Sequence, residues 1–127
     1  MRFLCLAVAL LCANCSAPPR PPKPALIDMA EYNAREDCLY REITRLMLIR
    51  GTSPTALEDI SITATTLCSR AIQDRLMRAA PNIRDGQDLA RHDELTTQQH
   101  GFAIALELKE KAIGSKSLTG VDSKPKP

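Results

Sequence analysis

Cys38 lies fifteen residues before Ser53 and Cys68 fifteen residues after it. The four residues from Gly51 to Pro54 carry the signals of a turn between two helices. Gly51 suits a helix C-terminal stop. Ser53 suits an N-cap and Pro54 the first helical position. Before the turn, Tyr32, Leu39, Ile43 and Leu46 recur at helical spacing. Glu31 with Arg35 and Asp37 with Arg41 stand at favourable i,i+4 positions. After the turn, Leu57, Ile60, Ala64, Leu67, Cys68 and Ala71 step by mostly three and four. Ile60 to Thr65 also alternates with period two and is β-branched, but both flanks are helical and a lone strand has no partner. The chain is therefore expected to form a helical hairpin, 27–50 and 54–80, ended by Pro81. In an antiparallel hairpin the two cysteines stand at one height. Helix rotation decides whether their Cβ atoms converge. A bridge within the chain, a bridge between two chains and a pair of buried thiols all remain open at this point.

A third helix is expected over 86–113. Ile104, Leu108 and Ala112 share one face, with Leu106 and Ile113 beside it, and Glu107 pairs with Lys111. The stretch Thr96-Thr97-Gln98-Gln99-His100-Gly101 has no apolar stripe, so a break is expected near Gly101. The fold class is all-α. The third helix is broken, and residues 114–127, rich in Gly, Ser, Lys and Pro, read as a disordered tail.

The N-terminus sets the compartment. Arg2 supplies a positive charge, Phe3 to Cys12 form a short apolar run, and small residues follow. That order is a secretory signal. The run is too short for a membrane-spanning helix, which needs about 20 residues. Residues 1–14 are expected to leave as a signal peptide, with Cys15 as the lipidated first residue of the mature chain. Residues 15–26 then form a linker. Pro18, Pro19, Pro21, Pro22 and Pro24 fix φ and remove amide donors, so this linker reads as a polyproline II spacer. Residues 27–113 are the exported helical domain. Of the five cysteines, two leave with the signal and one takes lipid. Cys38 and Cys68 remain, an even pair suited to an oxidising compartment.

Composition removes several function classes. The net charge is +2, and loss of Arg2 lowers it to +1, so no electrostatic case for nucleic acid exists. Aromatics are 3% with no Trp, so the core is thin and Leu-, Ile- and Ala-based. Small domains of this kind often need a staple or a partner. His92 and His100 have no nearby His or Cys to complete a metal site and read as solvated. The acidic pairs Glu36-Asp37 and Asp93-Glu94 read as solvated helix faces. Neither a glycine-rich phosphate loop nor a G-x-S-x-G nucleophile motif is present. The sequence points to a non-enzymatic protein with no cofactor beyond covalent lipid, and no small-molecule substrate.

Cys15, the prolines from Pro18 to Pro24, and Ala30-Glu31-Tyr32-Asn33-Ala34 with Cys38 together resemble the outer-membrane lipoprotein spanins of phages, over about the first 40 residues. The resemblance implies that Cys15 anchors the chain at the periplasmic face of the outer membrane. It implies a protein partner, an inner-membrane spanin subunit, and disruption of the outer membrane in phage-induced host lysis. Two other readings fit the same residues: a bacterial periplasmic lipoprotein adaptor of a secretion or conjugation apparatus, and a secreted helical binding protein.

Overall fold

The computed structural model describes residues 17 to 118. Residues 1–16, which hold the expected signal and Cys15, and residues 119–127 of the expected tail lie outside the described residues. Three helices follow in order: α1, Met29–Arg50; α2, Pro54–Ala79; α3, Ile83–Leu118. The all-α reading and the hairpin hold. α1 and α2 run antiparallel, and α3 returns along α2, which it contacts far more than α1.

Each helix end has a chemical cause. Asp28 caps α1, its carboxylate accepting the Glu31 amide at 2.8 Å. Ile27, just before the cap, packs with Tyr32 in one buried cluster, a hydrophobic staple that sets how the chain enters α1. Gly51 closes α1 with φ of 82° and donates its amide to Met47 O at 3.0 Å. A positive φ favours glycine there. Ser53 caps α2 by accepting the Ala56 amide, and Pro54 takes the first turn. Asn82 starts α3 by accepting the Asp85 amide at 2.9 Å.

The interior is layered. Near the α1–α2 turn, Leu39, Ile43 and Leu46 of α1 meet Leu57, Ile60 and Ala64 of α2 and Ile104 and Ala105 of α3. At the far end, Ile27, Tyr32, Ile72 and Leu76 form a second apolar cluster. Between them lies a layer of buried polar side chains: Arg35, Thr65, Ser69, Asp93, Thr97 and His100. The inward face of α2 turns away from part of the expected stripe. Leu67 and Ala71 are exposed, while Ser61, Thr65, Ser69 and Ile72 point inward. Small residues at these positions let α3 come close.

That closeness corrects the expected break. α3 continues as one helix of 36 residues through Gly101 and on to residue 118, into the start of the expected tail. Gly101 is a packing position, not a stop. A Cβ added there would lie 3.6 Å from Thr65 Oγ1 and 3.7 Å from Ser61 Cβ, ordinary contact distances. Gly86 is tighter: a Cβ would lie 3.0 Å from the backbone oxygen of Met77. Gly101→Ala is therefore expected to be neutral or to stabilise by up to about 1 kcal/mol through helix propensity. Gly86→Ala is expected to destabilise, because backbone must move. Urea denaturation of the two variants checks the contrast, and equal effects would count against this packing.

The proline segment is not a free spacer. Arg20 donates to Asn33 Oδ1 at 2.9 Å and lies over the Tyr32 ring, 5.4 Å from its centroid. The Tyr32 hydroxyl donates to Pro21 O. Lys23 Nζ donates to the carbonyls of Pro24 and Ile27. Residues 20 to 27 thus fold back onto the bundle.

Candidate functional site

Two polar pairs between α1 and α3 dominate the middle layer. Arg35 Nη1 donates to both carboxylate oxygens of Asp93, at 2.7 and 2.9 Å, and both side chains are 4% exposed. One turn of sequence spacing does not bring these residues together; they are 58 positions apart. His100 Nε2 lies 2.8 and 2.9 Å from the two carboxylate oxygens of Glu36. These contacts replace three sequence expectations. Arg35 does not pair with Glu31 but turns inward, and Glu31 pairs with Arg75 at 2.6 Å. His100 is buried, not solvated, whereas His92 is exposed. Asp93 and Glu36 leave their expected solvated faces and meet partners across helices. Arg41, expected beside Asp37, pairs with Glu42 at 3.7 Å. The Glu107–Lys111 pair forms as expected.

Asp93 and His100 are seven residues apart, two turns of α3, so they share one face. Each reaches α1 at a neighbouring position, Arg35 or Glu36. A buried charge needs its partner, because desolvating an unpaired ion costs several kcal/mol. The two pairs therefore fix the rotation and height of α3 against α1. A slip of one helical turn, about 5.4 Å, would leave both pairs broken.

Cys38 and Cys68 form a disulfide between α1 and α2 at this same level, with Cα atoms 5.7 Å apart. Two polar groups nearby, Thr65 Oγ1 and Ser69 Oγ, are buried without a hydrogen-bond partner among the described residues. The layer joins three helices by the Arg35–Asp93 ion pair, the His100–Glu36 hydrogen bond and one covalent bridge.

A cavity of about 390 Å³ opens beside this layer. Pro21, Pro22 and Leu26 roof it, Leu76 and Leu89 wall it, and Arg35, Asp93 and Thr97 lie at its polar end. Its polar groups mostly satisfy one another. Arg35 is held by Asp93, the Thr97 hydroxyl donates to Asp93 O, and the Thr96 hydroxyl donates to His92 O, both at 2.7 Å. The cavity is a seam between the folded-back prolines and α3.

Tyr40 links α1 and α3 at the edge of the apolar core, donating its hydroxyl to Glu107 Oε2 at 3.2 Å. Burial, then the Glu107 charge and this hydrogen bond, push its pKa up to about 12. Tyr32 is also raised, by burial first, against the opposing pull of Arg35 and Arg20. A phenol whose folded pKa lies above its unfolded value stabilises the fold below the unfolded pKa. That contribution is lost as pH rises through the folded pKa. Stability is thus expected to decline between about pH 10 and about pH 12. An absorbance titration should show no phenolate for Tyr40 near pH 10 in the folded chain. Ionisation at the ordinary tyrosine value would rule out the part-buried Glu107 contact.

Among the described residues, no group of three His, Cys, Asp or Glu side chains stands close enough to hold a metal ion. Among them too, no helix is long and apolar enough to cross a membrane. Comparison with protein-family models, curated proteins and solved structures finds no match to this chain. The functional reading therefore rests on the residues themselves. Cys15 lies outside the described residues. Cys38 and Cys68 are brought together. The polar seam of Arg35, Glu36, Asp93 and His100 is what sequence reasoning missed. Its one visible signal is spacing: Asp93, Thr97, His100 and Gly101 recur at helical steps of four, three and one.

Proposed function

We propose that this chain is an exported, lipid-anchored helical binding protein, and that its specific role is that of an outer-membrane spanin subunit in host lysis. The observation that carries export is the Cys38–Cys68 disulfide between two helices. Such a staple persists in an oxidising compartment and is rare in a reducing one. It fits the basic-then-apolar N-terminus that ends at Cys15. The lysis role is supported by the order of a candidate lipidated cysteine, a proline run and a small helical domain.

The folded-back prolines sharpen this reading. Arg20 is already held by Asn33 and Tyr32. Only residues 16 to 19 then separate Cys15 from the bundle. The five extended steps from Cys15 to Arg20 reach at most about 18 Å. The bundle would sit close to the membrane face, and an inner-membrane partner would supply most of the reach across the periplasm. Several acyl chains on one cysteine hold firmly where a single chain binds only marginally.

Cys15→Ser tests the anchor and the role together. The wild-type chain is expected in the outer-membrane fraction and the variant in the soluble periplasmic fraction. If the role is lysis, cells carrying the variant stall as spheres. Identical fractionation of the two proteins would refute the anchor, and normal lysis would refute the spanin role. The adaptor reading is separated by gene order. A lysis cassette with an overlapping single-span membrane protein supports the spanin, and a secretion or conjugation operon supports the adaptor.

A further inference from the structure

α3 has two opposed faces, and the outer one is apolar. Leu95, Phe102, Leu106 and Ile113 fall within about 20° of one line along the helix at 100° per residue. The inward residues Asp93, His100 and Ile104 lie on the opposite side. Leu95 is 51% exposed, Leu106 40% and Ile113 59%, while Phe102 is half-buried at the edge of the core. Ile62 of α2, 42% exposed, stands beside Phe102. Residues 110 to 116, at the end of α3, are all exposed.

We infer that this stripe pairs with the same stripe of a second copy, α3 against α3, antiparallel. The spacing selects that occupant. The steps between the four residues are seven, four and seven, which read the same from either end about position 104. A two-fold interface must be self-complementary, residue i on j and j on i. Antiparallel pairing about position 104 sets Leu95 on Ile113 of the second copy and Phe102 on its Leu106. All four side chains of each copy then find an apolar partner. The exposed turn around Ile113 then faces the first half of the other α3.

The flanking charges agree. Beside the stripe, Gln98 and Gln99 lie in one half, and Lys109 and Glu110 in the other. The antiparallel register places Gln98 beside Lys109 on one flank and Gln99 beside Glu110 on the other, with Gln99 and Lys109 at one level, amides against charges. A parallel, in-register pairing would bring two Lys109 and two Glu110 side chains to the same levels, where like charges oppose association. The paired segment, residues 95 to 113, is about 27 Å long at about 1.5 Å per residue. That is a modest contact, suited to a reversible dimer that a shared membrane surface would concentrate. The pairing does not depend on the proposed lysis role.

The test uses the exported chain carrying Cys15→Ser, so that no lipid contributes. Sedimentation over a range of concentrations is expected to show a mass rising from one chain toward two. Leu106→Glu and Ile113→Glu, both at exposed positions, are expected to keep the monomer's circular dichroism and abolish the dimer. Chains carrying Gln99→Cys mixed with chains carrying Lys109→Cys are expected to cross-link to each other, and neither to itself. A monomer at every concentration, a dimer indifferent to both glutamates, or a Gln99→Cys chain that cross-links to itself would each overturn the proposal. So would a monomer that sediments with phosphatidylethanolamine–phosphatidylglycerol vesicles through Ile113, since the stripe would then face lipid.

Discussion

Replacing Asp93 with alanine is expected to lower the stability of the bundle by about 3–5 kcal/mol, the largest effect of any single polar substitution here. The magnitude follows from what is left behind. Arg35 is 5% exposed and cannot lose its charge at accessible pH. Without Asp93 it stays buried and uncompensated, or drags α1 open to reach water. A whole domain of this size is stable by only about 5–15 kcal/mol, so urea denaturation should show a midpoint shift that is easy to measure. Surface pairs give the contrast. Arg45 and Glu42 lie 2.8 Å apart, but Arg45 is 53% exposed, and Glu42→Gln is expected to cost less than about 1 kcal/mol. The double substitution Arg35→Met with Asp93→Leu should recover most of the loss, because it removes both charges and fills the space. An Asp93→Ala protein within about 1 kcal/mol of wild type would mean that Arg35 reaches solvent, and the buried pair would not hold the register of α3.

The same pair explains which parts of the fold could be read from the chain alone. Helix ends were legible because caps act locally: Gly51, Ser53 and Pro54 each satisfy or remove backbone groups within a few residues. The α1 stripe was legible because Leu39, Ile43 and Leu46 are apolar and are buried for that reason alone. The inner face of α3 was not. Asp93, Thr97 and His100 look like solvated residues unless Arg35 and Glu36 are known to face them. Their burial depends on a contact almost 60 positions away, and no local pattern encodes it. Gly101 misled for a related reason. A glycine among polar residues reads as a break, but here position 101 packs against Ser61 and Thr65 inside a continuous helix. The Ile104 and Leu108 face of α3 was legible from its apolar spacing, and it packs on the core. The prolines were legible as stiff, but not as docked, because the aromatic ring and asparagine that hold Arg20 lie on α1.

Reduction of the Cys38–Cys68 bridge is expected to cost about 3–4 kcal/mol, because the closed loop of roughly 30 residues loses entropy only in the unfolded chain. For a domain of about 100 residues that corresponds to a fall in Tm of roughly 15–25 °C. Thermal unfolding followed by circular dichroism, with and without reductant, measures it. The Cys38→Ala, Cys68→Ala double variant should match the reduced protein. A non-reducing gel should show a compact monomer for the oxidised wild type, and a covalent dimer would refute the intrachain bridge. The bridge also has a place-specific role. α1 contacts α3 least of any helix pair, while α2 and α3 share the longest seam. The disulfide adds a covalent tie to the buried pairs and to the apolar contacts of Leu39, Ile43 and Leu46 that keep α1 in the bundle. Reduction should therefore release α1 before the rest. Amide hydrogen exchange is expected to quicken first in residues 29–50 and to spare the middle of the α2–α3 pair. Uniform acceleration across all three helices would instead mean that the bundle opens as one unit, and that the bridge stabilises it without assigning α1 the weakest attachment.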